Sequence, residues 1–491
     1  MNRLRKQLTV ALFLALMACG TQSLAQAPPE KDKPSTDKPA EKWLFNRTLA
    51  FSAAPAPTPA LKYRLYPSYM DRKPGNAVPI YMRFAHERSQ ARRDELREKP
   101  VAWNELPLEK LPLVEVKKYL GGYAYYFGQF DLGARRNTAE WNYTLEIENP
   151  IALLLPDMQE MRLHAPMLVL KARTEIAERR YADAVRTLET GFSFSQQINE
   201  GPFLVTSLVA IAVANQFTDC TLELIQCSNA PNLYWALSVL PRPMLDLRHD
   251  YEFELTLIER QFPILADLDR SRVPEQWDAT LAQFRNQREA FIQGDGAGSS
   301  NYTALKPGTS SSDPASKSPD LPIAKKYLAD VVGLSEAQIG AMPASQVLLL
   351  HIRNYYRELS DDAFKSTYLA GWQRQGLDGL DKTLKSLPDI EAAWLPRYLL
   401  PAIKRVNFRD VLLQRKLAAL QVIEALRMHA AVQGRLPEKL DDVVIVPLPL
   451  DPGTGKSFEY KKEGESAVLT SQLPGESLDQ TGLRYHLSIK N

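Results

Sequence analysis

Residues 170–197 read LKARTEIAERRYADAVRTLETGFSFSQQ, and this stretch decides the fold class. Apolar and small residues recur here at three- and four-residue spacing, and the pattern restarts just before Tyr181. The spacing predicts two amphipathic helices, over 157–179 and 181–199, joined by a short break. Helices joined in this way pack antiparallel, so the stretch predicts a helical hairpin.

The same periodicity extends over most of the chain. It predicts further helices separated by short Gly, Pro or Asn breaks, over 113–132, 203–227, 244–262, 321–334, 344–368 and 389–432. In the last segment a stripe that includes Val406, Leu413, Leu420 and Leu426 predicts a long docked helix, with Gly434 as its C-cap. The fold class is therefore mainly α, built from helical hairpins.

One hairpin has a recognisable form. Tyr181, Ala184 and Leu188 stand where a tetratricopeptide hairpin places its aromatic and small packing residues, so 170–197 loosely resembles that family. Ala184 would also let any two antiparallel helices approach closely. No second copy follows at a fixed period, so we expect one helical hairpin among several rather than a repeat array.

The pattern changes after Gly434. Short β-type runs occupy 443–446, 457–460 and 467–470, with turn-like residues between them. A small C-terminal α+β unit, a long helix followed by a short antiparallel sheet, is therefore expected at 403–491.

Six segments are expected along the chain. They are a signal peptide at 1–25 (or a lipoprotein signal at 1–18), a disordered tether at 26–42, a helical domain with a short N-terminal strand (61–65, LKYRL) at 43–293, a disordered linker at 294–320, a helical continuation at 321–402, and the C-terminal unit at 403–491. The tether and linker are predicted from Pro-, Gly- and Ser-rich sequence with almost nothing to bury.

The N-terminus has the features of an export signal. Three basic residues precede the apolar run Leu8–Ala18, which is too short to span a bilayer as a helix. Two processing routes stay open, release after Ala25 or lipidation of Cys19 in a lipoprotein-like box. The protein is expected in the periplasm or cell envelope, with membrane contact only through an N-terminal lipid.

Composition and cysteine spacing exclude several classes. The 491 residues include 60 Lys and Arg against 58 Asp and Glu, a net charge of +2, which argues against nucleic acid as a partner. Cys220 and Cys227 are too few for a structural zinc site. On a continuous helix their Cα atoms would lie about 10 Å apart along the axis, so a disulfide requires the helix to end between them.

No nucleotide, metal or catalytic motif is complete, and no cofactor is expected. Gly455-Lys456-Ser457 resembles the end of a phosphate-binding loop, but Leu450 stands where that loop needs glycine. The following Phe458-Glu459-Tyr460 favours a strand instead of the required helix. A β-turn is therefore predicted at this site.

The densest polar cluster begins at RHDYEFE, residues 248–254, and continues to Arg260. On a helix Arg248 and Glu252 are one turn apart, and Glu252 and Glu259 are two turns apart. A carboxylate pair beside a guanidinium could do general acid–base work in a cleft. A solvated or ion-paired helix face is the alternative, and charge runs on helices usually form one.

The C-terminal segment from about Leu413 to Pro474 resembles the soluble part of a type II secretion major pseudopilin. The likeness rests on Gly434-Arg435-Leu436-Pro437, Leu440, Asp451-Pro452-Gly453-Thr454-Gly455-Lys456, Phe458-Glu459-Tyr460 and Leu469-Thr470-Ser471. In that family this unit follows a cleaved leader and a hydrophobic N-terminal helix, whereas here it ends a long chain. The family's calcium loop has no clear counterpart, so no metal ligand is assigned.

A wider resemblance is to a group of exported planctomycete proteins of unassigned function. It rests on the export signal, the pseudopilin-like tail, and the segments 61–65, 74–77, 230–237, 240–241 and 246–248. Three functions follow as hypotheses: a non-enzymatic scaffold that binds other envelope proteins, an accessory component near a type II secretion or pilus-like machine, and an extracytoplasmic hydrolase that uses the cluster 248–260.

Overall fold

A computed structural model describes residues 42–87, 90–143, 155–294, 315–374, 379–474 and 477–490. The predicted signal peptide, Cys19, nearly all of the tether and most of the linker lie outside these residues. The linker's described end is packed, since Ala315–Lys317 forms a short 3-10 helix in which Ala315 is buried.

The fold is mainly α, as the sequence predicts. Of the residues that the structure describes, 62% are helical, with 17 α-helices, and a small four-stranded sheet lies at the C-terminal end. The helices in chain order are α1 Val78–Glu87, α2 Gln90–Asn104, α3 Leu113–Gly121, α4 Ala124–Ala134, α5 Pro156–Ala177, α6 Tyr181–Asn199, α7 Leu204–Ile225, α8 Tyr234–Ser238, α9 Arg248–Gln261, α10 Pro263–Ala266, α11 Pro274–Gly294, α12 Leu321–Asp330, α13 Glu336–Ala341, α14 Ala344–Phe364, α15 Gly379–Lys385, α16 Trp394–Gln433 and α17 Leu478–Thr481. The prediction of a single helix over 113–132 is wrong in one respect, because the segment divides at Gly122 into two helices, α3 and α4.

The predicted hairpin is α5 and α6, and α7 packs against both. Gly191 of α6 explains how closely α6 and α7 approach each other. A Cβ atom at this position would lie 2.3 Å from the Phe217 ring of α7. Glycine is therefore required here for packing, and any larger side chain would force the two helices apart.

The long helix α16 ends as predicted. Gly434 has a φ of 70°, and its backbone N–H donates to the carbonyl oxygen of Ala430 at 2.9 Å. A left-handed residue at this place satisfies a carbonyl that the helix leaves unpaired, which glycine does without steric cost.

The C-terminal sheet takes a strand from the other end of the chain. Its order is β1–β6–β5–β4, with strands β1 Phe45–Phe51, β4 Glu459–Glu463, β5 Ser466–Ser471 and β6 Leu483–Ile489. β4, β5 and β6 are antiparallel, and β1 runs parallel to β6, with Phe45 opposite Leu483. A second pair, β2 Lys73–Asn76 and β3 Arg136–Thr138, is parallel.

Two predicted strands are wrong. Residues 61–65 form turns and bends, and only Leu65 among them is buried. Residues 443–446 form a loop in which Val443 and Val446 are buried while Val444 is 88% exposed. Pro447 and Pro449 follow directly, and prolines have no N–H to donate to a sheet, so this apolar run does not join one.

Helices and sheet share one core. A continuous cluster of buried apolar side chains runs from Leu49 in β1 to Leu487 in β6. Among the described residues one helix, α7, is long and apolar enough to cross a bilayer, but 72% of its most apolar window is buried within the protein. α7 is therefore packed as a central core helix.

Candidate functional site

The predicted cluster lies on α9, and its three candidate residues contact different partners. Arg248 donates from Nε to Asp246 at 2.8 Å, and the Tyr368 hydroxyl donates to Glu252 at 3.4 Å. Glu259 forms an ion pair with Arg357 of α14. These contacts are all on the exposed side of α9, which corresponds to the ion-paired face that the sequence offered as an alternative.

The opposite side of α9 holds a buried polar group that sequence reasoning did not select. Asp250 is 0% exposed, and its carboxylate accepts a hydrogen bond from the Ser207 hydroxyl and lies 2.9 Å from His249 Nε2. His249 Nε2 also lies 2.6 Å from the carbonyl oxygen of Asn199, the last residue of α6. One turn along, Glu254 accepts from the Leu204 N–H at 3.2 Å, at the first residue of α7.

These side chains match the charges of two helix ends. A helix carries partial negative charge at its C-terminus and partial positive charge at its N-terminus. His249 lies at the C-terminus of α6, and Glu254 lies at the N-terminus of α7. α9 thus places a cation and an anion on the two ends of the α6–α7 turn. We call His249, Asp250 and Glu254 the α9 clamp.

Burial and pairing shift the pKa of each member of the clamp. Burial disfavours the charged imidazolium of His249, but its contacts with Asp250 and with the carbonyls of Asn199 and Gly201 outweigh burial and raise its pKa to about 9. Burial raises the pKa of Asp250 to about 6, against the opposing effect of His249. Burial also raises the pKa of Glu254 to about 7, although the Leu204 N–H opposes this. Such shifts occur at catalytic sites and in structural networks alike.

The hydrogen bonds of the clamp are not arranged as they are in a site where a base activates a nucleophile. In a catalytic triad the histidine lies between the serine and the carboxylate. Here the Ser207 hydroxyl bonds to Asp250 directly, and both residues are 0% exposed. The geometry therefore favours fixing the α6–α7 turn over attack on a substrate.

A sequence signal for the clamp does exist. Asp250, Tyr251, Glu254, Leu257 and Ile258 have the spacing of one helix face, and the three apolar members of this set are buried. Two carboxylates on an apolar stripe indicate buried acids. The partners at Asn199, Leu204 and Ser207 are far away in sequence and give no such signal.

A second polar contact joins α9 to α16. The Tyr251 hydroxyl donates to the side-chain oxygen of Asn407. Nearby, Asp410 accepts from Gln414 at 2.7 Å, and burial raises the pKa of Asp410 to about 6. α9 is thus tied to α6, α7 and α16 together.

A groove of about 200 Å³ lies between α16 and the loops that follow it. Most of its lining residues are apolar, but polar atoms contribute more of its accessible surface than apolar atoms do. The lining residues are Val422, Leu440, Asp441, Val443, Val446, Pro447, Leu448, Pro449, Ser457 and Phe458. Asp441 is the one charged residue among them. Val444 and Ile445, which are 88% and 47% exposed, belong to the same loop.

The two cysteines and the turn at Gly455 are the other candidate sites that the sequence offers. Cys220, buried in α7, and Cys227, just past its end, are both free thiols, and burial raises the pKa of each. The Thr454 N–H donates to the Asp451 carbonyl at 3.1 Å, Gly455 follows with a φ of 67°, and a strand begins at Glu459, so the predicted β-turn is present. The described part of the chain contains no group of three or more His, Cys, Asp or Glu residues placed to hold a metal ion.

Comparison with known proteins assigns no family to this architecture. No protein-family model matches the chain, and no curated protein or solved structure matches it significantly.

The α9 clamp makes stability depend on pH in a defined direction. The pKa of His249 is raised by folding, so its contribution is full below about pH 6.5 and is lost as pH rises through about 9. Asp250 and Glu254, with raised pKa values of about 6 and 7, are largely ionised before the pH reaches about 9. We expect the free energy of unfolding to fall by about 1 kcal/mol between about pH 7 and pH 9, a value reduced for the partial exposure of His249.

The variant His249→Gln isolates the contribution of His249 to the pH dependence of stability. Its stability should change less than that of the wild type over the same pH range, as measured by urea unfolding. The acidic neighbours Asp246, Asp250 and Glu200 stay in place in both proteins. If the free energy of unfolding fell equally with pH in both proteins, folding would not raise the pKa of His249.

Proposed function

We propose that this protein is a non-enzymatic exported scaffold that binds another envelope protein through its C-terminal α+β unit. The observation that carries the proposal is the exposed apolar loop at 443–450 with the groove beside it. Exposed apolar surface next to a concave apolar groove is typical of a protein-binding site.

The groove favours one kind of occupant. Its lining residues are apolar apart from Asp441 and Ser457, and two of them are prolines, which have no N–H group. An extended apolar segment with a basic residue opposite Asp441 would match both the lining and the charge. We therefore propose such a segment of a partner protein as the ligand.

The polar cluster on α9 supports a structural role over the hydrolase alternative. Separate exposed pairs are formed by Arg248, Glu252 and Glu259. The α9 clamp contacts the C-terminal end of α6 and the N-terminal end of α7. Each polar side chain that suggested chemistry thus has a structural partner.

A second candidate is an accessory role near a type II secretion or pilus-like machine. What supports it is the order of elements, since the long helix α16 precedes the antiparallel strands β4, β5 and β6. This order agrees with the resemblance to a pseudopilin in the C-terminal sequence.

Site-specific photocrosslinking in intact cells tests both candidates. A photoreactive amino acid at Val444 should give one discrete adduct, and adding Ile445→Glu should reduce its yield at least about tenfold, because a charge would enter an apolar contact. The matched control is the same amino acid at Val114, which is 84% exposed on α3 and should give no such adduct.

The identity of the adduct decides between the candidates. A partner outside the secretion machinery supports the general scaffold, and a secretion component supports the accessory role. An absence of adducts at position 444, or identical adducts at positions 114 and 444, would contradict binding at this loop.

A further inference from the structure

β4, Glu459–Glu463, is the outer strand of the four-stranded sheet. It pairs with β5 on one side, from Glu459 opposite Thr470 to Glu463 opposite Ser466. Within the part of the chain that the structure describes, its backbone makes no hydrogen bond on the other side. An edge of this kind offers unpaired N–H and C=O groups to another strand.

The side chains of β4 divide between two faces. Glu459, Lys461 and Glu463 are exposed on one face, and Tyr460 and Lys462 are half-buried on the other. On the half-buried face the Tyr460 hydroxyl donates to the Pro437 carbonyl at 2.9 Å, and Lys462 pairs with Glu438. Lysines on an edge usually prevent pairing, but on the exposed face Lys461 stands between Glu459 and Glu463 and pairs with Glu463 at 3.0 Å.

We propose that β4 pairs antiparallel with β4 of a second copy of this chain, forming one continuous eight-stranded sheet across a two-fold axis. An antiparallel pair of identical strands needs an axis perpendicular to the sheet, because only this axis keeps the outer faces of both copies on the same side. Residues of one face therefore meet residues of the same face.

This condition leaves three registers, in which Tyr460, Lys461 or Lys462 lies on the two-fold axis, opposite the same residue of the second copy. Centring on Lys461 places this lysine opposite its own copy and Glu459 opposite Glu463, so like charges meet along the whole exposed face. Centring on Lys462 places Lys461 opposite the Glu463 of the second copy, but it also places the two half-buried Lys462 side chains opposite each other. Like charges directly opposite destabilise a strand pair, so both registers are disfavoured.

The register centred on Tyr460 is complementary. It places Glu459 opposite the Lys461 of the second copy, and by symmetry Lys461 opposite the second Glu459. The two Tyr460 rings meet on the other face, and aromatic pairs stabilise antiparallel strands. Charge complementarity thus selects one register and identifies a second copy of this chain as the occupant.

Self-association and the proposed partner binding are tested at different residues, and in this register Phe458, which lines the groove, lies opposite Lys462 of the second copy. β4 lies outside the groove, whose lining ends at Phe458. A protein that failed to bind any envelope partner could still pair through β4, and the reverse also holds.

Sedimentation equilibrium of the purified protein across a range of concentrations tests the proposal. The wild type should show a monomer–dimer equilibrium that weakens with added salt. Lys461→Glu and Glu459→Lys should each weaken association at least about tenfold, because each makes two like-charge pairs across the axis. The double variant Glu459→Lys, Lys461→Glu should restore it, because the charges are opposite again.

Lys325→Glu on α12 is the matched control, since it makes the same charge change at an exposed site outside the sheet and should leave association unchanged. A wild type that stays monomeric at all concentrations would overturn the proposal. So would a dimer that neither single reversal weakens, or a double variant no stronger than the two singles.

Discussion

Replacement of Asp451 by alanine is expected to lower the free energy of unfolding by about 3–5 kcal/mol, because it leaves a buried guanidinium without its counter-charge. Asp451 and Arg415 are both 0% exposed, and Arg415 Nε lies 3.2 Å from each carboxylate oxygen. Arg415 also donates to the Thr481 carbonyl and the Ser471 hydroxyl, each at 2.8 Å. This arginine therefore attaches α16 to the turn and strands of the C-terminal unit.

Urea unfolding of the variant measures this loss. Asp451→Asn keeps the shape and part of the hydrogen bonding, so it should lose less than the alanine variant. Asp362→Ala is the control, because its ion pair with Lys365 is exposed at both ends and should be worth about 0–1 kcal/mol. Similar losses for Asp451→Ala and Asp362→Ala would contradict the role assigned to the buried pair.

Replacement of Arg427 by methionine is expected to lower the free energy of unfolding by a similar amount, about 3–5 kcal/mol. Arg427 Nη1 donates to Glu424 at 2.7 Å, and both side chains are fully buried. The same guanidinium donates to the carbonyl oxygens of Ser52 at 3.0 Å and Ala230 at 2.9 Å. One residue of α16 thus holds the chain that follows β1 and the chain that follows α7.

A double-mutant cycle with Glu424→Leu isolates the ion pair. Removing both charges leaves no uncompensated one, so the double variant should lose less than the sum of the two single variants, with a coupling of about 0.5–3 kcal/mol. Additive losses would mean that the backbone contacts of Arg427, and not its pairing with Glu424, account for its effect.

Local sequence rules located most of the helices. α6 occupies 181–199 as the periodicity predicts, and Gly434 caps α16. These features depend on residues within one or two turns of each other, so they can be predicted from neighbouring positions. The strand predicted at 61–65 failed because alternation alone does not supply a partner strand. The N-terminal strand is instead β1, which pairs with β6 near the other end of the chain.

The candidate site could be predicted only in part. The sequence located the polar cluster on α9 and offered both an acid–base face and an ion-paired face for Arg248, Glu252 and Glu259. It did not show which groups Asp250 and Glu254 contact, because their partners lie on α6 and α7. The groove beside 443–450 was also hidden, since residues 443–446 were predicted as a strand.

The sequence by itself determined that this chain is mainly α, where several of its long helices lie, and that the turn at 451–456 precedes a strand. Hydrophobic periodicity and turn chemistry are local, so they need no knowledge of the packed molecule. Only the tertiary structure decided what the buried face of α9 contacts, which strand completes the sheet and which ion pairs lie in the core. Those outcomes depend on contacts between residues hundreds of positions apart, and such contacts form only when the whole chain packs around one core.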